Sequence, residues 1–393
     1  MSALTTPDAA AASDAPEAYL DWAASAPIRP EALEAMVHAA TVGFGNPTGA
    51  HRQARVARRI VDDARDVVAD AVGARPADVI FTGGGTEADN LAIFGTVARH
   101  GGRPVCSAIE HHAVLHPVEQ LGGTVIGVDA SGVVDLDALR AALTDESAEP
   151  VSVVSIMLAN NETGMMQPLD KVAAVTAECA PRAVLHTDAV QGFVWMDLTA
   201  TAMDAHLVSI TGHKFGGPKG VGALVVRNGA TITPQIIGGG QEFELRSGTQ
   251  NVEGIAGFAA AVQATVNERE AVNARVCAMR DRLVDGLIAA VPGTVETGDR
   301  SRKIPGSAHV CFDAIESEAL LFLLERQGVY ASAASSCASG AQEPSHVLAA
   351  MGVSRDQAKG SLRLSLGRTT TNAHVEHALA VIPAAIEQLK GAR

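Results

Sequence analysis

Residues 211–220 read Thr-Gly-His-Lys-Phe-Gly-Gly-Pro-Lys-Gly, and apolar runs at residues 207–210 and 221–226 lie on either side of them. This pattern predicts a strand, a tight loop and a second strand, with Lys214 at the turn. A lysine positioned by glycines can form a Schiff base with an aldehyde if its surroundings depress its pKa. An exposed loop lysine is the alternative, and the stretch by itself leaves both interpretations open.

The composition is that of a globular protein with a sizeable core. Of the 393 residues, 47% are hydrophobic and 19% are charged, while only 3% are aromatic, so Ala, Val, Leu and Ile must supply most of the core. The length favours two or three domains, or one large domain with an appendage. A net charge of -14 gives no electrostatic footprint for nucleic acid, and direct nucleic-acid binding is not expected.

The cysteines and the N-terminal segment bear on the cellular compartment. The chain has 5 cysteines and no CxxC pair, so neither a disulfide framework nor a cysteine-rich zinc site is expected, and no metal ligand is predicted. A reducing cytoplasm fits this usage best. No apolar run approaches the roughly 20 residues that a membrane helix needs. Residues 1–18 lack a basic start and an apolar core, which predicts a disordered leader and not a signal peptide.

Strand and helix signals alternate through most of the chain. Strands are predicted at residues 79–81, 104–107, 124–128, 151–158, 183–186, 207–210 and 221–226, and helices at 30–40, 51–72, 87–98, 113–121, 136–143 and 169–179. Repeated strand–helix units with apolar strands predict an α/β fold, in which helices cover both faces of a parallel or mixed sheet. Ligands of such sheets bind beyond the carboxyl ends of the strands.

Residues 82–86, Thr-Gly-Gly-Gly-Thr, lie between a predicted strand and a predicted helix. Free backbone N–H groups and the helix dipole make such a position an anion site. The segment matches neither a Walker loop nor a GxGxxG fingerprint, so a lone phosphate group suits it better than a nucleotide. A purely structural glycine turn is the alternative.

Polar groups follow several predicted strands at the expected binding edge, namely Glu110-His111-His112, Asn160-Asn161-Glu162, Asp188 with Gln191, and Lys214. A lysine, a phosphate nest, a carboxylate and a histidine ring are together what pyridoxal phosphate needs. The lysine holds the aldehyde, and the carboxylate keeps the pyridine nitrogen protonated so that the ring accepts electrons. Asp188 is a good candidate for that carboxylate, although an aspartate at a strand end can equally cap a turn.

The last third of the chain predicts a smaller α+β domain joined to the rest by a long helix at residues 252–290. Strands are predicted at 308–312 and 362–366, helices at 316–327 and 373–389, and an irregular run of small residues at 332–342. An irregular run of that length is usually functional or mobile. The predicted division is a leader at 1–18, a large cofactor-binding domain with a seven-stranded, mostly parallel sheet at 19–260, and a small domain at 261–393. The first 25 or so ordered residues would pack on the small domain.

Two motifs, Asp188-Ala-Val-Gln191 and Thr211-Gly-His-Lys214, resemble those of the fold-type I pyridoxal-phosphate enzymes in the class V aminotransferase family. Further collinear motifs are similar to those of the cysteine desulfurases: Tyr19-Leu-Asp21, Gly45-Asn-Pro47, Thr86-Glu-Ala-Asp-Asn90, Glu110-His111, Asn160-Asn-Glu162, Gly238-Gly-Gly240, Arg246-Ser-Gly-Thr249, Glu343-Pro-Ser-His346 and Arg363-Leu-Ser-Leu-Gly-Arg368. The extended segment around Cys337 is similar to that of the NifS/IscS type. Ala334 stands where that family usually has a glycine, which implies a less flexible loop.

The resemblance implies a role for each matching residue. Lys214 would carry pyridoxal 5'-phosphate as a Schiff base, Asp188 would pair with the pyridinium and Gln191 would hydrogen-bond the ring oxygen. His111 would stack on the ring and act in proton transfer. The phosphate would be held by Gly85, Thr86, Thr211, Gly212 and His213, and by Thr249 of a neighbouring subunit in a homodimer.

The same resemblance implies the substrate and the reaction. Asn161 would contact cofactor and substrate, and Arg363 would grip the substrate carboxylate. Cys337 would attack the sulfur of L-cysteine, release L-alanine and keep a persulfide for an acceptor protein, either an iron–sulfur scaffold or a tRNA-thiolation enzyme. The alternatives are another class V enzyme, such as a selenocysteine lyase or an aminotransferase, and a non-catalytic binding partner with the same fold.

Overall fold

The computed structural model describes residues 17–333 and 345–391. Cys337 and Ala334, together with nearly all of the predicted leader, lie outside the described residues. The helices are Pro30–Val42 (α1), Arg52–Val72 (α2), Gly85–His100 (α3), His112–Gln120 (α4), Leu136–Thr144 (α5), Leu169–Cys179 (α6), Gly192–Trp195 (α7), Leu198–Thr201 (α8), Val252–Ala290 (α9), Ser317–Arg326 (α10), His346–Ala350 (α11), Arg355–Ala358 (α12) and Asn372–Gly391 (α13).

The strands form three sheets. They are Ala18–Tyr19 (β1), Val79–Thr82 (β2), Arg103–Ser107 (β3), Thr124–Ile126 (β4), Val151–Ser155 (β5), Val184–Asp188 (β6), Leu207–Thr211 (β7), Gly222–Val226 (β8), Val295–Glu296 (β9), Ser307–Cys311 (β10), Val329–Tyr330 (β11) and Ser361–Ser365 (β12). The predicted α/β fold, with its large sheet and smaller α+β unit, is confirmed.

The central sheet has seven strands in the order β2-β8-β7-β6-β5-β3-β4. All neighbours are parallel except β8, which runs antiparallel to β2 and to β7. Every residue of β3, β6 and β7 is buried, as expected for strands covered on both faces. Because β6 and β7 are parallel, their carboxyl ends lie side by side. Asp188 is the last residue of β6, and Lys214 lies in the turn that follows β7.

The smaller sheet has the order β12-β10-β9, and α9 connects it to the central sheet. The apolar side chains of this region form a second core that includes Leu283 and Leu287 of α9 and Leu364 of β12. Ala18, the last residue of the predicted leader, pairs with Val329 in the third sheet, so the N-terminal segment lies beside the C-terminal part of the chain. The residue boundaries of the predicted domains stay a prediction.

Predicted and observed elements differ mainly at their ends. The strand predicted at residues 151–158 ends as β5 at Ser155, because residues 156–158 are buried but bond outside the regular ladder, with Ile156 and Leu158 donating to the carbonyls of His186 and Asp188. The helix α3 begins at Gly85, two residues before its predicted start, and so includes part of the glycine segment. In the described part of the chain, no helix is both long and apolar enough to cross a lipid bilayer.

Candidate active site

A cavity of about 340 Å³ opens beyond the carboxyl ends of the central strands. Most of the predicted site residues line it: Gly85, Thr86, His111, Asn161, Asp188, Gln191, Thr211, His213, Lys214 and Arg363. Ala23, Ala24, Asp89, Met157 and Val190 complete the lining, and sequence reasoning had assigned none of these to the site. Among the described residues, two predicted site residues are not part of this lining: Gly212 is buried in the turn that ends at Lys214, and Thr249 is exposed.

Lys214 ends a short 3-10 turn, Gly212–Lys214, that directly follows β7. A Cβ at Gly212 would lie 2.9 Å from the carbonyl oxygen of Pro218, so only glycine lets the two sides of the loop approach this closely. Lys214 Nζ donates hydrogen bonds to the carbonyl oxygens of Ala23, at 2.6 Å, and Ala24, at 3.0 Å. The predicted strand–turn–strand hairpin therefore presents the lysine to the cavity and against the N-terminal segment.

Asp188 is the last residue of β6 and is 5% exposed. Its Oδ1 accepts a hydrogen bond of 2.8 Å from the backbone N–H of Val190. Burial raises the pKa of Asp188 to about 6, while this hydrogen bond and the charge of Lys214 act in the opposite direction. A cation bound beside Asp188 would stabilise its carboxylate further, so the position suits a protonated ring nitrogen.

The glycine segment forms a cradle at the N-terminus of α3. Gly84 has a φ of 150°, a backbone conformation that side chains disfavour. A Cβ at Gly85 would lie 2.9 Å from Cγ2 of Val190. A wider depression over this cradle is also lined by Thr86, Thr211, His213 and Lys219. The backbone N–H groups at the start of α3, two hydroxyls and a lysine suit a phosphate group, as the sequence predicts.

His111 is the N-cap of α4 and also lines the cavity. Its Nδ1 accepts a hydrogen bond of 3.1 Å from the backbone N–H of Ala113. Burial, and then repulsion by Lys214 and by neighbouring histidines, lowers the pKa of His111 to about 4. We therefore assign a neutral ring with its proton on Nε2, because Nδ1 is occupied as an acceptor. In this tautomer Nε2 can donate a hydrogen bond but cannot accept a proton.

Arg363 reaches the cavity from β12 of the smaller sheet and is 5% exposed. Its guanidinium donates to the carbonyl oxygen of Asn161 at 3.1 Å and to Asp21 Oδ1 at 2.8 Å. Its buried Nε has no partner within the described residues. A fixed, partly unsatisfied guanidinium suits a carboxylate ligand.

Residues 334–344 lie outside the described part, but the residues on either side of this segment adjoin the site. Ser332 exchanges two backbone hydrogen bonds with Arg363, at 3.2 and 2.8 Å. Ser345 donates from its hydroxyl to the buried carboxyl of Glu162, and His346 Nε2 lies 2.9 Å from the carbonyl oxygen of Glu110. The described residues on either side of the segment that contains the predicted nucleophile Cys337 therefore contact residues at or next to the cavity lining.

The residues of the cavity fit pyridoxal phosphate by their chemistry. Lys214 supplies an amine and Asp188 a carboxylate for a ring nitrogen. The cradle at Gly85 supplies N–H groups for a phosphate, and His111 an uncharged ring for stacking. Sequence reasoning missed three contributions: the Ala23 and Ala24 carbonyls, the support of Arg363 by Asp21, and the buried acid Asp89. Asp21 and Asp89 lie in motifs that were recognised, but no local signal reveals contacts with distant parts of the chain.

Comparisons with known proteins identify the family of the chain. Residues 18–378 match the family "Aminotransferase class-V". An IscS-like cysteine desulfurase of Mycobacterium tuberculosis is 43% identical, with 95% of this chain and 98% of the relative aligned. A cysteine desulfurase IscS of Methanosarcina thermophila is 40% identical, with coverages of 95% and 92%. The solved structure of a NifS-like protein superposes with a TM-score of 0.87 at 34% identity and covers 95% of this chain and 100% of its own. The chain therefore belongs to the class V aminotransferase family, in its NifS/IscS-type group of cysteine desulfurase relatives.

Proposed function

We propose that this protein is a pyridoxal-phosphate-dependent cysteine desulfurase that uses Cys337 as its sulfur carrier. The observation that carries the proposal is the convergence of Lys214, Asp188 and Arg363 on one cavity beside the cradle at Gly85. The curated relatives named cysteine desulfurase, at about 40% identity over nearly the whole chain, support the same activity.

Each residue has a defined task in this proposal. Lys214 binds the aldehyde carbon of pyridoxal 5'-phosphate, Asp188 holds the ring nitrogen, and Gln191 contacts the ring oxygen. The phosphate lies against Gly85, Thr86, Thr211, Gly212 and His213. When bound, the cofactor supplies an electron sink for the substrate α-carbon. His111 stacks on the ring in its neutral form and donates a hydrogen bond from Nε2, so proton transfer from the substrate falls to Lys214.

Substrate specificity follows from Arg363 and Asn161, which bind L-cysteine by its carboxylate. The net reaction moves one sulfur atom. The Cys337 thiolate attacks the substrate sulfur and forms an S–S bond, and the C–S bond breaks. Its electron pair stays on the carbon, which takes up a proton and leaves as L-alanine. The persulfide on Cys337 then passes to an acceptor protein, such as an iron–sulfur scaffold or a tRNA-thiolation enzyme. A reducing compartment such as the cytoplasm suits a reactive thiol of this kind.

A homodimer with shared sites is part of the proposal. Thr249 is exposed on its own subunit, and the side chains of Ile237 and Phe243 nearby in the sequence are 85% and 55% exposed. Apolar exposure of this kind, close in sequence to a residue expected to bind a neighbour's phosphate, favours a second copy of the chain as the partner that covers these side chains.

The test is alanine release from L-cysteine by the cofactor-loaded protein, with Cys337→Ala and the matched control Cys277→Ala. We expect alanine from the wild type and the control, and none from Cys337→Ala. Reduction with borohydride should fix the cofactor to the peptide that contains Lys214. The desulfurase proposal fails if Cys337→Ala releases alanine at the wild-type rate. It also fails if the wild-type protein acts only on selenocysteine or only transfers an amino group to a 2-oxo acid, and the corresponding class V alternative then takes its place.

A further inference from the structure

Asp89 is a buried acid in the wall of the cavity, and none of the roles proposed above involves it. It lies on α3 four residues after Gly85, one turn beyond the phosphate cradle. It is 1% exposed and lines the same cavity as Asp188 and Lys214. Its Oδ1 has no hydrogen-bond partner in the described part of the chain.

In the described part of the chain, the titratable side chains that act on Asp89 are a histidine and two acids, and Lys214 lines the same cavity. His186 Nε2 lies 3.6 Å from Asp89 Oδ1, and its ring is held between the hydroxyls of Ser155, at 2.8 Å, and Ser209, at 3.0 Å. Burial lowers the pKa of His186 to about 3, so the ring is neutral at physiological pH. The other titratable groups that act on Asp89 are the acids Asp188, on the same strand as His186, and Glu110, before α4.

An ionised carboxylate in such a place is costly. Burying an unpaired ion carries a large desolvation penalty, and two carboxyl groups that share one cavity do not both ionise readily. Asp188 accepts a hydrogen bond from a backbone N–H and lies near the charge of Lys214, whereas the favourable partner of Asp89 in the described part of the chain is the Ser209 hydroxyl. Burial and the charge of Asp188 therefore raise the pKa of Asp89 well above its ordinary value.

We propose that Asp89 is a positioning residue that remains a neutral carboxylic acid at physiological pH and so leaves Asp188 as the single carboxylate for the ring nitrogen of the cofactor. An ionised Asp89 would place a second negative charge beside Asp188 and divide the attraction for the ring cation between two sites. The part of this proposal that concerns the ring nitrogen rests on the proposed function, whereas the part that concerns the protonation state of Asp89 does not.

The first test uses the cofactor-free protein and is independent of any activity. Infrared difference spectra at pH 7 compare the wild type with Asp89→Asn, with Glu110→Gln as the matched control for a second buried acid. We expect Asp89→Asn to remove a protonated-carboxyl band that Glu110→Gln leaves in place. Loss of an ionised-carboxylate band instead would overturn the proposal.

If Asp89→Asn does not fold, selective ¹³C labelling of aspartate in the wild type tests the same protonation state. An aspartate carboxyl that titrates above pH 7 supports the proposal, and the absence of one overturns it.

The second test measures affinity for pyridoxamine 5'-phosphate, which cannot form a covalent bond with Lys214. Asp188→Asn should weaken binding by on the order of 100-fold, because the ring cation loses its buried partner. Asp89→Asn should change the affinity at pH 7 by no more than about threefold, and it should diverge from the wild type only at alkaline pH, where Asp89 ionises. A loss at pH 7 as large as that of Asp188→Asn would overturn the inference. Wild-type affinity in Asp188→Asn would instead count against the proposed cofactor site and leave the infrared result standing.

Discussion

Arg363 Nη2 lies 2.8 Å from Asp21 Oδ1, although the two residues are 342 positions apart in the chain. The ion pair joins β12 of the smaller sheet to the segment that follows β1, and its side chains are 6% and 24% exposed. Asn161 accepts a second hydrogen bond from the same guanidinium. Asp21 therefore helps to fix the direction in which Arg363 faces the cavity, before any substrate binds.

If Asp21 acts by orientation, its hydrogen-bond acceptor matters more than its charge. Asp21→Ala should raise the KM for L-cysteine about tenfold, since loss of one charge-assisted hydrogen bond corresponds to about 1.4 kcal/mol. Asp21→Asn keeps an acceptor oxygen and should raise KM about threefold or less. Steady-state kinetics at saturating cofactor distinguish the two. Equal effects of both substitutions would mean that the negative charge, and not the geometry, is what Asp21 contributes.

His111 should serve the cofactor through its ring and not as a base, because Nδ1 is occupied by the Ala113 N–H. His111→Asn keeps a side-chain acceptor at the N-cap of α4 but removes the ring. We expect it to weaken cofactor binding by about tenfold, which is the scale of a stacking interaction. His111→Phe keeps an aromatic face and should bind the cofactor more tightly than His111→Asn. Fluorescence titration of the cofactor-free proteins measures both affinities, and the reverse order would contradict a stacking role.

The sequence predicted the local elements better than the contacts between them. The approximate bounds predicted for α6 and α9 coincide with the observed ones. The strand ends that hold Asp188 and Lys214 were predicted from apolar runs followed by polar residues. The contacts of Lys214 with Ala23 and Ala24 could not be predicted, because they join residues about 190 positions apart. Likewise, the tautomer of His111 depends on a hydrogen bond that only the three-dimensional cap geometry reveals.

Thr249 allows a direct test of shared active sites. Lys214→Ala should inactivate both sites of a homodimer, and Thr249→Ala should impair both by weakening the grip on the phosphate. A mixed dimer of the two variants contains one site with an intact Lys214 and, if Thr249 acts across the interface, an intact Thr249 from the partner. Co-expression with two affinity tags isolates this species, and it should regain about half of the wild-type activity per dimer, as expected for one intact site in two. If the mixed dimer is no more active than Thr249→Ala alone, Thr249 serves its own subunit or no site at all.

Glu110 should make the stability of the protein depend on pH. Its Oε1 accepts hydrogen bonds from the Ser107 hydroxyl, at 2.6 Å, and from the Met157 N–H, at 2.9 Å, while its buried Oε2 has no partner in the described part of the chain. Burial raises the pKa of Glu110 from 4.5 to about 8. Between these values the unfolded chain is ionised and the native state is protonated, so the unfolded state binds fewer protons and native stability falls as the pH rises.

Glu110→Gln keeps an acceptor oxygen for both donors and has no proton to lose. Relative to the wild type, we expect its free energy of unfolding to increase as the pH rises from 4.5 to 8, by on the order of 4 kcal/mol. Urea unfolding of the cofactor-free proteins at several pH values measures this difference, in which the contributions of all other titrating groups cancel. Parallel pH profiles for the two proteins would mean that Glu110 is ionised in the native state. That outcome would contradict the expectation that burial keeps its carboxyl group protonated.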